Sequence, residues 1–343
     1  MPAILDWRPA DSPDDLVRQT VQALADGTLV VLPTEAGYVL AADPGRLADP
    51  RRPAGLPDDL DVSRLDGYFE PAEFFGRAPD ATAAERALAA RLWPGPVGIL
   101  YADGPFAAWV PAHAVAGAVL AARPGPLALF EVYGGGLIDP AALGGAVAIV
   151  VTDGTARTGP VTRLRVNGAK WVVERPGVLS EEAIRDALAR RIVFVCTGNT
   201  CRSPMAEGVF KSRLAERIGC GVDDLPARGY VLTSAGISAV TGDPATPESA
   251  AAVRDFSVDL SSHRSRPATA ELIARADDVI AMTRAHLLTL VGRYPVVGGS
   301  LRLFCGADGD LDDPIGGGPE VYRACAAAVR HHVDRLITEM GLP

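Results

Sequence analysis

Apolar positions in the second half of the chain gather into short unbroken runs separated by longer amphipathic stretches. Ile192-Val193-Phe194-Val195 is such a run, rich in β-branched residues, and reads as a strand buried in a parallel sheet. Ser180 is placed to cap a helix just before it. Glu181 and Glu182 fall in that helix's first turn, where negative charge suits the helix dipole, and 183–191 has helix-forming composition. Beyond the run the pattern alternates. Helices are expected over 203–218, 247–255, 268–276, 284–291 and 319–340, and strands over 230–233, 279–282 and 301–304. Strand–helix alternation with apolar strands predicts an α/β fold, a doubly wound parallel four-stranded sheet with right-handed crossovers. Such sheets place their sites at the carboxyl ends of the strands, which here means the residues just after Val195.

The first half has a different rhythm. Strands are expected over 28–32, 97–101, 146–151, 162–166 and 171–173, and a helix over 81–92 that ends at Trp93-Pro94-Gly95-Pro96. Residues 41–80 are rich in Pro, Gly and Asp and show little periodicity. Many strands with few helices suggest an α+β domain over 1–190, followed by an α/β domain over 191–343.

A length of 343 residues accommodates two such domains. The formal charge of −9 is uneven: −7 over 1–190 and −2 over 191–343. That balance argues against a generic basic nucleic-acid binder, which needs clustered positive charge. Only Lys170 and Lys211 are lysines among 33 basic residues, an Arg bias typical of GC-rich coding, so a single arginine carries little functional information. No apolar run reaches the roughly 18–20 residues of a membrane span. The N-terminal segment has no basic region and soon turns acidic at Asp11, Asp14 and Asp15, unlike a signal peptide. The cysteines are Cys196, Cys201, Cys220, Cys305 and Cys325, an odd set with no CxxC pair, so neither a disulfide framework nor a metal site is expected, and a cytoplasmic setting follows.

The chemistry concentrates in Cys196-Thr197-Gly198-Asn199-Thr200-Cys201-Arg202-Ser203-Pro204. A cysteine stands where the strand ends, and an arginine follows six residues later as the helix begins. Gly198 and Asn199 tolerate positive φ, so the loop can turn tightly and aim its N–H groups inward as an anion nest. The helix N-terminus adds positive potential, and Arg202 can close the ring with a bidentate fork on phosphate oxygens. In that field Cys196 is expected to be a thiolate, with Ser203 donating to its sulfur, poised for in-line attack on a cradled phosphoryl group. The leaving group needs an acid. Asp313, before Pro314 in the loop Asp312-Asp313-Pro314-Ile315-Gly316-Gly317, lies after the last strand and so at the same edge of the sheet.

These residues resemble the low-molecular-weight protein tyrosine phosphatase family over about 192–341. The resemblance extends through Thr233-Ser234-Ala235-Gly236, Ser262-His263-Arg264, Ala281-Met282-Thr283 and Asp313-Pro314. It implies Cys196 as nucleophile, Arg202 as transition-state clamp and Asp313 as general acid and then base. Thr197, Gly198, Asn199, Thr200, Cys201, Arg202 and Ser203 would bind the phosphate, with Asn199 and Ser234 holding the loop's shape. It implies a phosphorylated protein or peptide as substrate and no cofactor or metal. Thr200, where tyrosine phosphatases carry a bulkier aliphatic residue, and Ile315-Gly316-Gly317, where they carry aromatics, resemble the protein arginine phosphatases instead; Tyr322 is an aromatic-wall candidate only if the last helix starts close by. Cys201 either packs at the helix start or forms a reversible disulfide with Cys196. Cys220, Cys305 and Cys325 read as small hydrophobes, His263 as a loop brace, and His331-His332 as a solvated face. An arsenate reductase shares the loop but needs shuttle cysteines, and Cys305 stands isolated.

In the first half, Leu29 to Glu35, Leu92 to Val97 and Glu174 to Ser180 resemble the threonylcarbamoyl-adenylate synthase (YrdC-like) family. That family's Lys-x-Arg nucleotide motif has no counterpart, since no lysine precedes Lys170, and Phe130-Glu131-Val132 stands near where Ser-Ala-Asn is expected. Arg51-Arg52 is the available substitute for the missing charge. The resemblance therefore implies a degenerate domain with binding or scaffolding duties. The alternative is an adaptor or bifunctional protein whose first domain binds ATP or RNA or makes threonylcarbamoyl-adenylate for tRNA modification.

Overall fold

The computed structural model describes residues 2–8, 13–101, 104–132, 143, 145–154, 159–294 and 300–343. The chain divides into two compact units, Met1–Leu188 and Ala189–Pro343.

The first unit opens with β1 (Ala3–Asp6), α1 (Pro13–Ala25), β2 (Leu29–Pro33), β3 (Tyr38–Ala42) and β4 (Val62–Gly67). It continues through α2 (Pro71–Arg77), α3 (Ala83–Leu92), β5 (Val97–Tyr101), β6 (Ala107–Trp109) and α4 (Ala114–Ala121). It closes with β7 (Leu127–Val132), β8 (Val147–Thr152), β9 (Thr162–Asn167), β10 (Lys170–Arg175) and α5 (Glu181–Leu188). All ten strands join one mixed sheet in the order β1-β8-β2-β3-β7-β4-β6-β5-β9-β10. Its centre is apolar throughout: every residue of β2 and β3 is buried, and Trp109 and Phe130 are fully enclosed. The seemingly aperiodic stretch 41–80 in fact holds β4 and α2. Period was a poor guide there because β4 and α2 span only six and seven residues; elsewhere in the unit β3 is buried on both faces and α4, Ala-Val-Ala-Gly-Ala-Val-Leu-Ala, is apolar all round. Helix α3 begins two residues later than expected, at Ala83, where Thr82 Oγ1 accepts from Glu85 N–H and the Glu85 carboxylate accepts from Thr82 N–H.

In the second unit β11 (Arg190–Cys196) leads into α6 (Arg202–Ile218), β12 (Tyr230–Gly236), α7 (Pro247–Ala252) and α8 (Ala270–Ala274). Then come β13 (Asp278–Ala281), α9 (Arg284–Arg293), β14 (Ser300–Leu303) and α10 (Pro319–Glu339). The helix before β11 ends at Leu188, three residues short of expectation, because Arg190 is already paired with Tyr230. The four strands are parallel in the order β12-β11-β13-β14, as the alternation implied. Ile192 and Phe194 point into the core shared with α6 and α10; Val193 and Val195 point into the core beneath α8 and α9. The chain steps from β11 to one neighbour and later returns to the other, so the strand order reverses at β11 and opens a crevice at its carboxyl end. Cys196 stands there.

Candidate active site

The loop after β11 has its shape fixed by its carbonyl groups. Cys196 O accepts from Ile237 N (2.9 Å), Thr197 O from Ser238 N (3.0 Å), Asn199 O from His263 Nε2 (2.8 Å) and Thr200 O from Thr246 N (2.9 Å). A trans peptide sets each N–H opposite the preceding C=O. With those four carbonyls bonded to groups outside the loop, the N–H groups of Thr197, Gly198, Thr200 and Cys201 turn toward its concave side. This is the amide bowl expected from the sequence, and His263 is the expected loop brace.

Asn199 carries the turn. Its φ is +57°, in the left-handed region, whereas Gly198 does not use that freedom. The fully buried Asn199 amide donates to Ser203 Oγ and Ser234 Oγ, both at 2.9 Å, and its Oδ1 accepts from Arg266 N at 2.9 Å. Ser234 Oγ donates to Glu207 Oε2 (2.6 Å), and Lys211 balances Glu207 at 2.5 Å. Ser203 Oγ lies 3.0 Å from Cys196 Sγ, and Asn199 N donates to the same sulfur at 3.2 Å. The Ser203 hydroxyl, which accepts from Asn199, faces two acceptors for its own proton, Cys196 Sγ at 3.0 Å and Ala235 O at 3.3 Å, and the sulfur is the nearer. Gly236 of β12 lets the loop approach: a Cβ there would lie 2.4 Å from Thr197 O.

Arg202 is buried at the first position of α6. Its Nη2 bonds Asp313 Oδ2 at 2.5 Å and its Nη1 donates to Leu311 O at 3.3 Å. Leu311 N in turn donates to Met282 O at the end of β13, which ties the aspartyl loop to the carboxyl edge of the sheet. The fold thus brings Cys196, Arg202 and Asp313 together as the sequence reading required. Asp313 is the half-exposed partner and Arg202 the enclosed one.

Other expectations change. Tyr322 lies in the first turn of α10 but is 3% exposed, with its hydroxyl 3.8 Å from Cys201 Sγ, so it forms no aromatic wall at the mouth. Ile315, strongly exposed, is what the loop after Asp313 presents. Cys201 packs at the start of α6 against Thr246 and Tyr322 as a free thiol. His332 is buried beside Phe304 (centroids 5.9 Å apart), not on a solvated face. Burial pushes the Cys305 thiol up to about 11 and the Cys325 thiol up to about 12, so both stay protonated and act as apolar filling. No cluster of metal-ligating side chains occurs among the described residues.

Sequence reasoning missed Glu207, Lys211 and His286. Glu207 and Lys211 follow Ser203 at helical spacing (i+4, i+8), which is the signal that puts them on the same face. His286 lies between Thr197 Oγ1 and Thr283 Oγ1, each 2.9 Å from a ring nitrogen. Its burial, followed by the nearby Arg202 charge, lowers its pKa to about 4, so the ring is neutral at physiological pH.

In the first unit, Arg52 is committed to local carbonyls, donating to Leu60 O at 2.7 Å and to Pro57 O. Glu131 is buried in β7, accepting from Val161 N and Arg163 Nη2, both at 2.6 Å. Arg51, Ser63, Arg64, Phe106, Arg163 and Glu174 line a cavity of about 350 Å³, in which Arg64 is paired with Asp66 and Arg163 with Glu131.

The family model described as low molecular weight phosphotyrosine protein phosphatase matches residues 191–341. The protein-arginine-phosphatase of Bacillus subtilis (strain 168) is 42% identical over 154 residues, spanning 44% of this chain and 93% of the relative. That of Geobacillus stearothermophilus is 36% identical over 154 residues, spanning 44% and 95%. A probable low molecular weight protein-tyrosine-phosphatase of Ralstonia solanacearum is 31% identical over 151 residues, spanning 44% and 95%.

Proposed function

Because this chain belongs to the low molecular weight phosphotyrosine protein phosphatase family, its activity is that of a cysteine-dependent protein phosphatase, and we propose phosphoarginine as the preferred group. The observation that carries the reading is the inward-facing amide bowl over Cys196, with Ser203 on the sulfur and Arg202 paired to Asp313. Substrate phosphoryl oxygens occupy the bowl and take over the Arg202 guanidinium, releasing Asp313. Cys196 Sγ attacks phosphorus as the P–N or P–O bond breaks, and Asp313 gives its proton to the departing nitrogen or oxygen. Asp313 then accepts a proton from water as that water attacks the cysteinyl-phosphate, freeing phosphate and restoring the sulfur. The bowl, Arg202 and the N-terminus of α6 stabilise the equatorial charge in both steps. No step calls for a cofactor or metal.

Two features favour phosphoarginine over phosphotyrosine. Thr200 offers a hydroxyl where an aliphatic side chain would offer only contact, and a guanidinium has N–H groups to donate to it. Ile315, not an aromatic ring, flanks Asp313, so a phenyl ring gains no stacking there. The test compares kcat/KM for phosphoarginine and phosphotyrosine peptides. Wild type is expected to prefer phosphoarginine, and Thr200→Ile to move the ratio toward phosphotyrosine by about tenfold, the order of one lost hydrogen bond. A ratio unmoved by Thr200→Ile rejects this specificity assignment.

For residues 1–190 the proposal is a YrdC-like domain that has lost catalysis and kept a binding duty; the arginine-lined cavity supports the second part. The free thiols are in keeping with a reducing cytoplasm, and no helix among the described residues is long and apolar enough to cross a membrane.

A further inference from the structure

Thr197, the first residue after Cys196, has an exposed side chain whose hydroxyl the bowl itself does not use. Its Oγ1 meets His286 Nε2 at 2.9 Å. The opposite ring nitrogen, Nδ1, meets Thr283 Oγ1, which also accepts His286 N–H at 3.2 Å as the cap of α9. A neutral imidazole has one N–H and one lone pair. Thr283 Oγ1 can accept His286 N–H and still give its single proton to Nδ1. In that tautomer the ring proton sits on Nε2 and is donated to Thr197 Oγ1. The hydroxyl proton of Thr197 is then left without an acceptor among the described residues. Arg202, Asp313 and Asp310 are the charged groups whose fields reach His286, and its hydrogen-bond partner Thr197 directly follows the nucleophile in the chain.

We propose that Thr197 Oγ1 is a further hydrogen-bond donor to the substrate's phosphoryl group, and that His286 is the positioning residue that turns its proton toward the bowl. The inference rests on the phosphatase reading above and deepens it. The chain of donors runs from the α9 cap through the ring to the rim: Thr283 to Nδ1, Nε2 to Thr197, Thr197 to a phosphoryl oxygen. It couples the end of β13 to the loop after β11 without adding charge. It also accounts for a buried polar ring that the chemistry of the bowl does not require.

Two readings on the full-length protein test it: the dissociation constant of inorganic phosphate by calorimetry, and kcat with p-nitrophenyl phosphate. Thr197→Val is expected to weaken phosphate binding and lower kcat by about tenfold each, the order of one charge-assisted hydrogen bond. His286→Leu should match it, and the double variant should be no worse than either single one, because the two act in series. Thr197→Ser should recover most of the loss. Thr197→Val is at an exposed side chain, so it remains informative if His286→Leu folds poorly. Phosphate affinity and kcat unchanged in Thr197→Val, or losses that multiply in the double variant, would overturn the inference. If wild type hydrolyses nothing, the phosphatase reading fails while the phosphate titration still decides the role of Thr197.

Discussion

At Asn199 one residue does the work of a whole turn, because a left-handed φ of +57° goes with four hydrogen bonds, one from its N–H and three from its side-chain amide. Alanine there loses the amide's three bonds and pays the left-handed penalty of about 1–2 kcal/mol. Asn199→Ala is therefore expected to lose about 3 kcal/mol in urea denaturation, with Asn199→Gly recovering about 1 kcal/mol of it, since glycine restores the backbone and not the bonds. A glycine variant no more stable than the alanine one would show that backbone strain is not part of the cost. The type of this residue was legible from the sequence, since Asn suits a tight left-handed position. Its partner Ser234 was found through resemblance. Glu207, which accepts a hydrogen bond from Ser234, was not found, because a lone acid on a helix normally faces solvent.

Helix α9 shows an element set by polar contacts at its start. Thr283 caps it, and buried His286 ties it to the loop after β11. The folded ring has a pKa of about 4 against 6.5 in the unfolded chain. Protonation is thus harder in the folded state. As pH falls through 6.5 toward 4 the unfolded chain takes up the proton first and stability declines; above about 6.5 the contribution is complete. Denaturation midpoints measured from pH 7.5 to pH 4 should fall more steeply in wild type than in His286→Asn, and parallel slopes would remove His286 from the acid response. At this scale the second unit was readable because its strands are short apolar runs broken by capped helices. Tyr322 and His332 were misplaced, since α10 is one long helix and the sequence does not show which of its faces meets α6. In the first unit β3, β7 and α4 went unread because they are apolar on nearly all sides, and β4 because it is too short to repeat; α1, a 13-residue amphipathic helix burying Leu16, Thr20, Ala23 and Leu24, was a legible pattern passed over.

The two compact units carry different amounts of information about function. The second has a parallel sheet whose strand order reverses at β11, and the reversal sets Cys196 at an open crevice. The first has a ten-stranded mixed sheet and an arginine-lined cavity. A binding duty there predicts a calorimetric signal on titrating ATP into full-length Cys196→Ser, reduced in the additional presence of Arg51→Ala; a silent titration at millimolar ATP would leave that unit with a scaffolding duty alone. The chemistry of the whole molecule comes down to a single sulfur. Its most direct test is the rate of p-nitrophenyl phosphate hydrolysis by wild type and by Cys196→Ser at equal concentration. The account predicts a loss of at least about a thousandfold on replacing the nucleophile. Equal rates would contradict it.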